Sequence, residues 1–192
     1  MLGHSPGRPE GRLLRTGNCF QGVTLVELMI VIVIMAVLAS IALPGMGRWV
    51  FRSKLERQVD TIAALLDRVR LKAIKESITY RVVFTPEEMK FFAFCDVDGD
   101  AILDSGEEKK GPFYLDEGIK FGSLATSGPN NTAIDHDGIS LVKNRINFSN
   151  MGSCNAGTIY LTSKDTSFAL RVLPASGVVQ VWRYRGSWEK CR

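Results

Sequence analysis

Histidine is nearly absent: His4 and His136 are the only two in 192 residues. No His-bearing catalytic triad is recognisable around either, and the four cysteines include no Cys-x-x-Cys spacing of the kind that binds zinc. The chain also lacks a glycine-rich phosphate loop, an internal repeat and an acid pair placed for acid–base work, so nothing in it reads as an enzyme. Net charge is only +4 at pH 7, which by itself selects no partner. Charge is scarcest between Val23 and Leu43, where Glu27 is the sole ionisable residue.

That run of 21 residues is long enough for a helix to cross a hydrocarbon core of roughly 30 Å. Thirteen of them are Leu, Ile or Val. At about −0.3 to −0.6 kcal/mol each on insertion, they sum to roughly −6 kcal/mol. A carboxylate at a helix centre costs about +3 kcal/mol on the same scale, and Glu27 lies near one end. The segment should therefore enter a membrane, and its acid asks for a charged partner. Arg8, Arg12 and Arg15 precede it and mark the cytoplasmic side.

A secretory signal peptide is one alternative, with Leu28 to Leu38 as its apolar region and Ser40-Ile41-Ala42 as a small-x-small cleavage site. Against it, an acid stands between the basic and apolar regions, and the helical pattern continues past the cleavage site. An ordinary signal anchor explains the apolar run but not the pattern Gly22-Val23-Thr24-Leu25-Val26-Glu27.

That pattern resembles the signal of type IV pilins and type II secretion pseudopilins: Gly, then Phe-Thr-Leu-x-Glu, then an apolar stretch. Val23 stands here in place of Phe. The resemblance implies cleavage by a prepilin peptidase between Gly22 and Val23, and N-methylation of Val23. It also implies that Glu27 neutralises the new N-terminal ammonium of a neighbouring subunit in a filament. Two charges buried in lipid are tolerable as a pair, which agrees. The leader, residues 1–22, carries three Arg and Glu10, so the mature chain has a net charge of +4 − 2 = +2.

Beyond Pro44, which should kink or locally melt a helix, residues Phe51, Leu55, Val59, Ile62, Leu66, Val69 and Ala73 form a stripe at 4-4-3-4-3-4 spacing. One long helix from Val23 to about Ser77 is expected. It comprises a membrane segment over 23–43 and an amphipathic continuation over 44–79. The stripe suits either a coiled-coil partner or a docked head, and the strands that follow need a helix to cover them.

Strand patterns fill residues 80–192: Tyr80–Phe84, Met89–Cys95, Ile119–Phe121, Arg145–Phe148, Thr158–Thr162, Phe168–Leu173 and Val178–Tyr184. The fold class expected is α+β, a long N-terminal helix docked on an antiparallel β head. Asn147-Phe148-Ser149-Asn150-Met151-Gly152, Gly157-Thr158-Ile159-Tyr160-Leu161 and Ala175-Ser176-Gly177-Val178-Val179 resemble the end of the pseudopilin H (GspH/FimT) family. Val178 departs from that family's usual Arg. The resemblance implies a structural minor pseudopilin of a type II secretion system, or a minor pilin of a type IV pilus. The protein would be a single-pass inner-membrane protein with a periplasmic or filament-borne head, and its partners would be other pilins, the peptidase and the membrane.

An exported head meets an oxidising compartment. Cys19 lies in the leader, and of the remaining cysteines Cys154 and Cys191 make the favoured disulfide, which would fix the chain end. Cys95–Cys191 is the other pairing weighed.

Two head segments are candidate sites. In Asp96–Glu107, acids Asp96, Asp98, Asp100, Asp104 and Glu107 occupy positions 1, 3, 5, 9 and 12 of an EF-hand-like calcium loop, with the Ile102 carbonyl at position 7. Ala101 sits where such loops carry Gly, and a strand precedes the loop rather than a helix. Calcium and a solvated acidic turn both remain open. The tail interleaves Trp182, Tyr184 and Trp188 with Arg183, Arg185, Lys190 and Arg192, a composition suited to DNA. Some FimT-like minor pilins bind DNA through such a tail. The reading preferred here is a terminal strand with Trp182 and Tyr184 inward and Arg183 and Arg185 solvated.

Overall fold

The computed structural model describes residues 23–192, apart from the side chains of 41–48. The leader 1–22, with Gly22 and Cys19, lies outside the described residues. Helix α1 covers Leu25–Glu76, against the expected Val23 to about Ser77. The chain divides into two units, one ending at Pro44 and the other running over Gly45–Arg192.

In the second unit the sequence stripe becomes the core seam. Leu55, Ile62, Leu66 and Ala73 are fully buried, and Val59 and Val69 nearly so. Ten strands follow in chain order: β1 (Thr79–Thr85), β2 (Lys90–Asp96), β3 (Lys109–Tyr114), β4 (Lys120–Phe121), β5 (Ile139–Ser140), β6 (Arg145–Phe148), β7 (Gly157–Thr162), β8 (Ser167–Val172), β9 (Val179–Tyr184) and β10 (Trp188–Lys190). They form two antiparallel sheets, ordered β3-β2-β1-β6 and β10-β9-β8-β7-β4, with β5 also on β7. The fold class is α+β. The stripe is spent on the chain's own sheets, through Val82, Phe84, Phe91, Phe148, Leu161 and Leu170. A coiled-coil partner for the same stripe is therefore ruled out.

The turn at Ser77 is fixed by side chains. The Tyr80 hydroxyl donates to a Glu76 carboxylate, and Lys72 bonds Glu108. Burial first, and then the bond to Glu76, pushes the Tyr80 phenol up to about 12. A folded phenol that holds its proton more tightly than an unfolded one stabilises fully below about pH 10 and loses that contribution as pH climbs toward 12. A spectrophotometric titration should show one of the four tyrosines ionising last, while simultaneous ionisation of all four would contradict this.

Two turn glycines receive the helix. Gly152 has φ +79°, and a Cβ there would meet Ile74 Cδ1 at 2.7 Å. Gly177 has φ +62°, and its Cβ would fall 2.3 Å from the Gly152 carbonyl oxygen and 2.8 Å from Arg70 Cδ. The Arg70 Nε–H donates to that same carbonyl at 3.3 Å. The slot that seats Arg70 thus exists only because both positions lack side chains. Gly177→Ala adds left-handed strain of about 1–2 kcal/mol to a clash with backbone worth about 1–3 kcal/mol. Denaturant unfolding of the detergent-solubilised chain should show a loss of about 3 kcal/mol. Gly152→Ala should lose less, because a side-chain end can yield.

The expected disulfide is not formed. Cys95, Cys154 and Cys191 are all free thiols. Cys154 follows β6, where its N–H donates to the Pro174 carbonyl at 2.9 Å and its thiol faces the Leu173 carbonyl. Cys191 lies against β9, its N–H donating to the Val181 carbonyl at 2.8 Å. Separate stretches of the β8–β9 hairpin hold the two cysteines, so neither Cys154–Cys191 nor Cys95–Cys191 is made. Burial raises the Cys154 thiol above its ordinary range, which leaves it a poor nucleophile.

Candidate functional site

The first turn of α1 is capped by its own sequence. Thr24 Oγ1 accepts from the Glu27 N–H at 3.2 Å, and the Thr24 carbonyl accepts from the Leu28 N–H at 3.1 Å. Thr24-Leu25-Val26-Glu27 carries the Thr-x-x-Glu signature of a capping box, which fixes where the helix begins and sets Glu27 in its first turn. An acid in a first turn also favours the positive end of the helix dipole. This cap was legible in the sequence but overlooked there. Val23, Leu25, Val26, Leu28, Met29 and Ile30 are 55–74% exposed, and exposed apolar residues continue to Leu38. Among the described residues no helix is long and apolar enough to cross a membrane. The described side chains of this stretch end at Ser40, so the spanning reading of 23–43 rests on sequence.

The acidic loop folds as a set of backbone-capping carboxylates. Asp96 Oδ1 accepts from the N–H groups of Gly99 (3.1 Å) and Ala101 (3.3 Å). Asp98 accepts from Asp100 N–H, Asp100 from Ile102 N–H, and Glu107 from Val97 and Asp104 N–H. Ala101 adopts φ +69°, the left-handed position that an EF-hand loop assigns to Gly. The donors nearest one another are Asp96, Asp98 and Glu107 in one group and Asp98, Asp100 and Asp104 in the other, each with oxygens within 4.8 Å. The charge of Asp100 first, followed by slight desolvation and by Asp98 and Glu107, holds the Asp104 carboxyl above the ordinary range.

Asp96 differs from the rest. Its side chain is fully buried, and Oδ2 is bound by the Arg81 guanidinium, whose NH1 also donates to Asn147 Oδ1 at 2.8 Å. Both Asp96 oxygens are thus engaged, and a cation at this position would have to displace Arg81. The exposed Asp98, Asp100 and Asp104 are the residues left to hold a hard cation.

In the tail, the register is the reverse of that expected. Val181 and Arg183 share the face turned to α1: Arg183 NH1 lies 4.0 Å from Glu56 Oε1 and NH2 lies 3.7 Å from Glu189 Oε2. Trp182 and Tyr184 alternate to the other face. There Tyr184 packs on Trp188 with centroids 5.2 Å apart, and the Trp188 indole N–H donates to the Ser127 carbonyl at 2.7 Å. Val179 and Val181, both buried in the core on the same face as Arg183, set the reversal, and Asp60 similarly takes Arg192 at 3.3 Å. Of the four tail cations, only Arg185 and Lys190 make no ion pair among the described residues.

Residues 17–43, a stretch that includes Gly22–Glu27, match the family described as the prokaryotic N-terminal methylation motif. The minor pseudopilin EpsH from the type 2 secretion system of Vibrio cholerae aligns with a TM-score of 0.47 and 11% identity, covering 67% of this chain and 95% of that one. No curated protein matches the sequence.

Proposed function

We propose that this chain is a structural, pilin-like subunit, made as a precursor, cleaved between Gly22 and Val23 and assembled through α1 into an inner-membrane-anchored filament. The observation that carries the reading is the methylation motif at residues 17–43, followed by a capped helix whose exposed apolar residues lead into a head-bearing half. The finer assignment is a minor pseudopilin of a type II secretion system, with the head in the periplasm. Its support is the arrangement of Gly152 and Gly177, which gives physical sense to the family-like C-terminal pattern. Cell fractionation tests the reading: the chain should occur in the inner membrane and in a sheared filament fraction. Recovery only in the soluble fraction would overturn it.

A type IV pilus minor pilin that binds DNA through its tail is the second reading. With Arg183 and Arg192 held by Glu56 and Asp60, two cations remain for phosphate, so the log–log salt slope on duplex DNA should be about −1.8. A slope near −3.6 would require all four. Calcium at Asp98, Asp100 and Asp104 is a separate proposal. Isothermal titration should show binding that weakens as pH falls through the Asp104 titration and that is lost in Asp98→Ala. Absence of binding heat would remove it.

A further inference from the structure

A groove runs along the second unit between α1 and the free edge of the first sheet. Leu65, Phe91 and Phe113 supply apolar lining, and Arg57, Arg68 and Lys110 stand exposed along it, with the acid Asp116 at the Arg57 end. Among the described residues none of these three cations makes an ion pair, although Arg52, Lys72, Lys90, Arg183 and Arg192 all do. An apolar channel bordered by unpaired cations fits a segment that combines carboxylates with apolar side chains.

The chain presents such a segment. The loop Asp96–Glu107 exposes Asp98, Asp100 and Asp104 together with Val97 (65% exposed) and Ile102 (63%). We propose that the acidic loop of one copy docks in the basic groove of a second copy. A loop cannot occupy the whole of its own groove. It is anchored at one end of it, where Glu108 bonds Lys72, and Arg57 lies fifteen residues back along α1, about 22 Å away. The loop and the groove are different surfaces, so the contact is heterologous, and repetition of a heterologous contact without ring closure gives an open helical array. Lys109 and Pro112 on β3 disfavour strand addition at the sheet edge, which leaves side-chain docking in the groove. The inference goes beyond the processing motif and does not depend on cleavage.

Disulfide trapping tests it with the full chain in detergent, using two versions of different tag size. One carries Ala64→Cys at the groove and the other Ile102→Cys in the loop, both with Cys191→Ser. Mild oxidation should give a mixed-chain band. Arg68→Glu with Lys110→Glu on the groove chain should abolish it, and adding Asp98→Lys with Asp104→Lys on the loop chain should restore it. Restoration also shows that the charge-swapped chains are folded. Absence of the band with native charges, or a band indifferent to both swaps, would overturn the proposal. Full competition by a synthetic Asp96–Glu108 peptide of scrambled order would do the same, because the groove would then take acidic segments in general.

Discussion

A Glu27→Ala chain should still lose residues 1–22 but should enter filaments about a hundredfold less well than the unaltered chain. Glu27 stands in the first turn of α1, beside the position where cleavage would create the Val23 ammonium. In a filament core that ammonium needs a counter-charge from an adjacent helix, and leaving one charge unpaired in an apolar setting costs about 3 kcal/mol. Thr24, not Glu27, accepts the bond from the Glu27 N–H, so the helix start survives the substitution. Glu27→Asp should rescue in part. Quantitative immunoblotting of sheared filaments against the membrane pool reads the ratio, and equal incorporation of Glu27→Ala would remove the counter-charge role.

Arg81→Met should be among the most damaging single changes in the head. Asp96 is fully buried, and Arg81, itself 11% exposed, is its only cationic partner among the described residues. Removing one member of a buried ion pair leaves the other charge uncompensated, typically at a cost of about 3–5 kcal/mol. Arg81 also ties Asn147 in β6 to β1. Thermal unfolding of the detergent-solubilised chain should shift downward sharply for Arg81→Met, whereas the double variant Arg81→Met, Asp96→Leu should recover much of the loss. A silent Arg81→Met would contradict this, since it would mean that the Asp96 carboxylate is solvated rather than paired.

Much of this architecture could be read from residue spacing, because periodicity records which side of an element is buried. The stripe from Leu55 to Ala73 is such a case, and so are the alternations of β1 and β6. What was illegible depended on partners distant in sequence. Lys109-Lys110-Gly111-Pro112 has the composition of a turn, yet it begins β3, an edge strand paired with β2 across a register shift. The tail alternates aromatics and cations, so its period fixed two faces but not which one turns inward. Val179 and Val181 decide that by entering the core, and Glu56 and Asp60 then meet Arg183 and Arg192. The cysteine pairing failed for the same reason: an oxidising compartment favours disulfides, but backbone placement decides which sulfurs meet. The spacing of Asp96–Glu107 anticipated clustered carboxylates, whereas the capture of Asp96 by Arg81 is a tertiary fact.

The mass and N-terminal sequence of the chain matured alongside a prepilin peptidase test the central claim most directly. The prediction is a chain that begins at Val23, carries a methyl group on its terminal nitrogen, and retains everything through Arg192. A chain that remains uncleaved, or one that begins at Leu43 after cleavage behind Ala42, would contradict it.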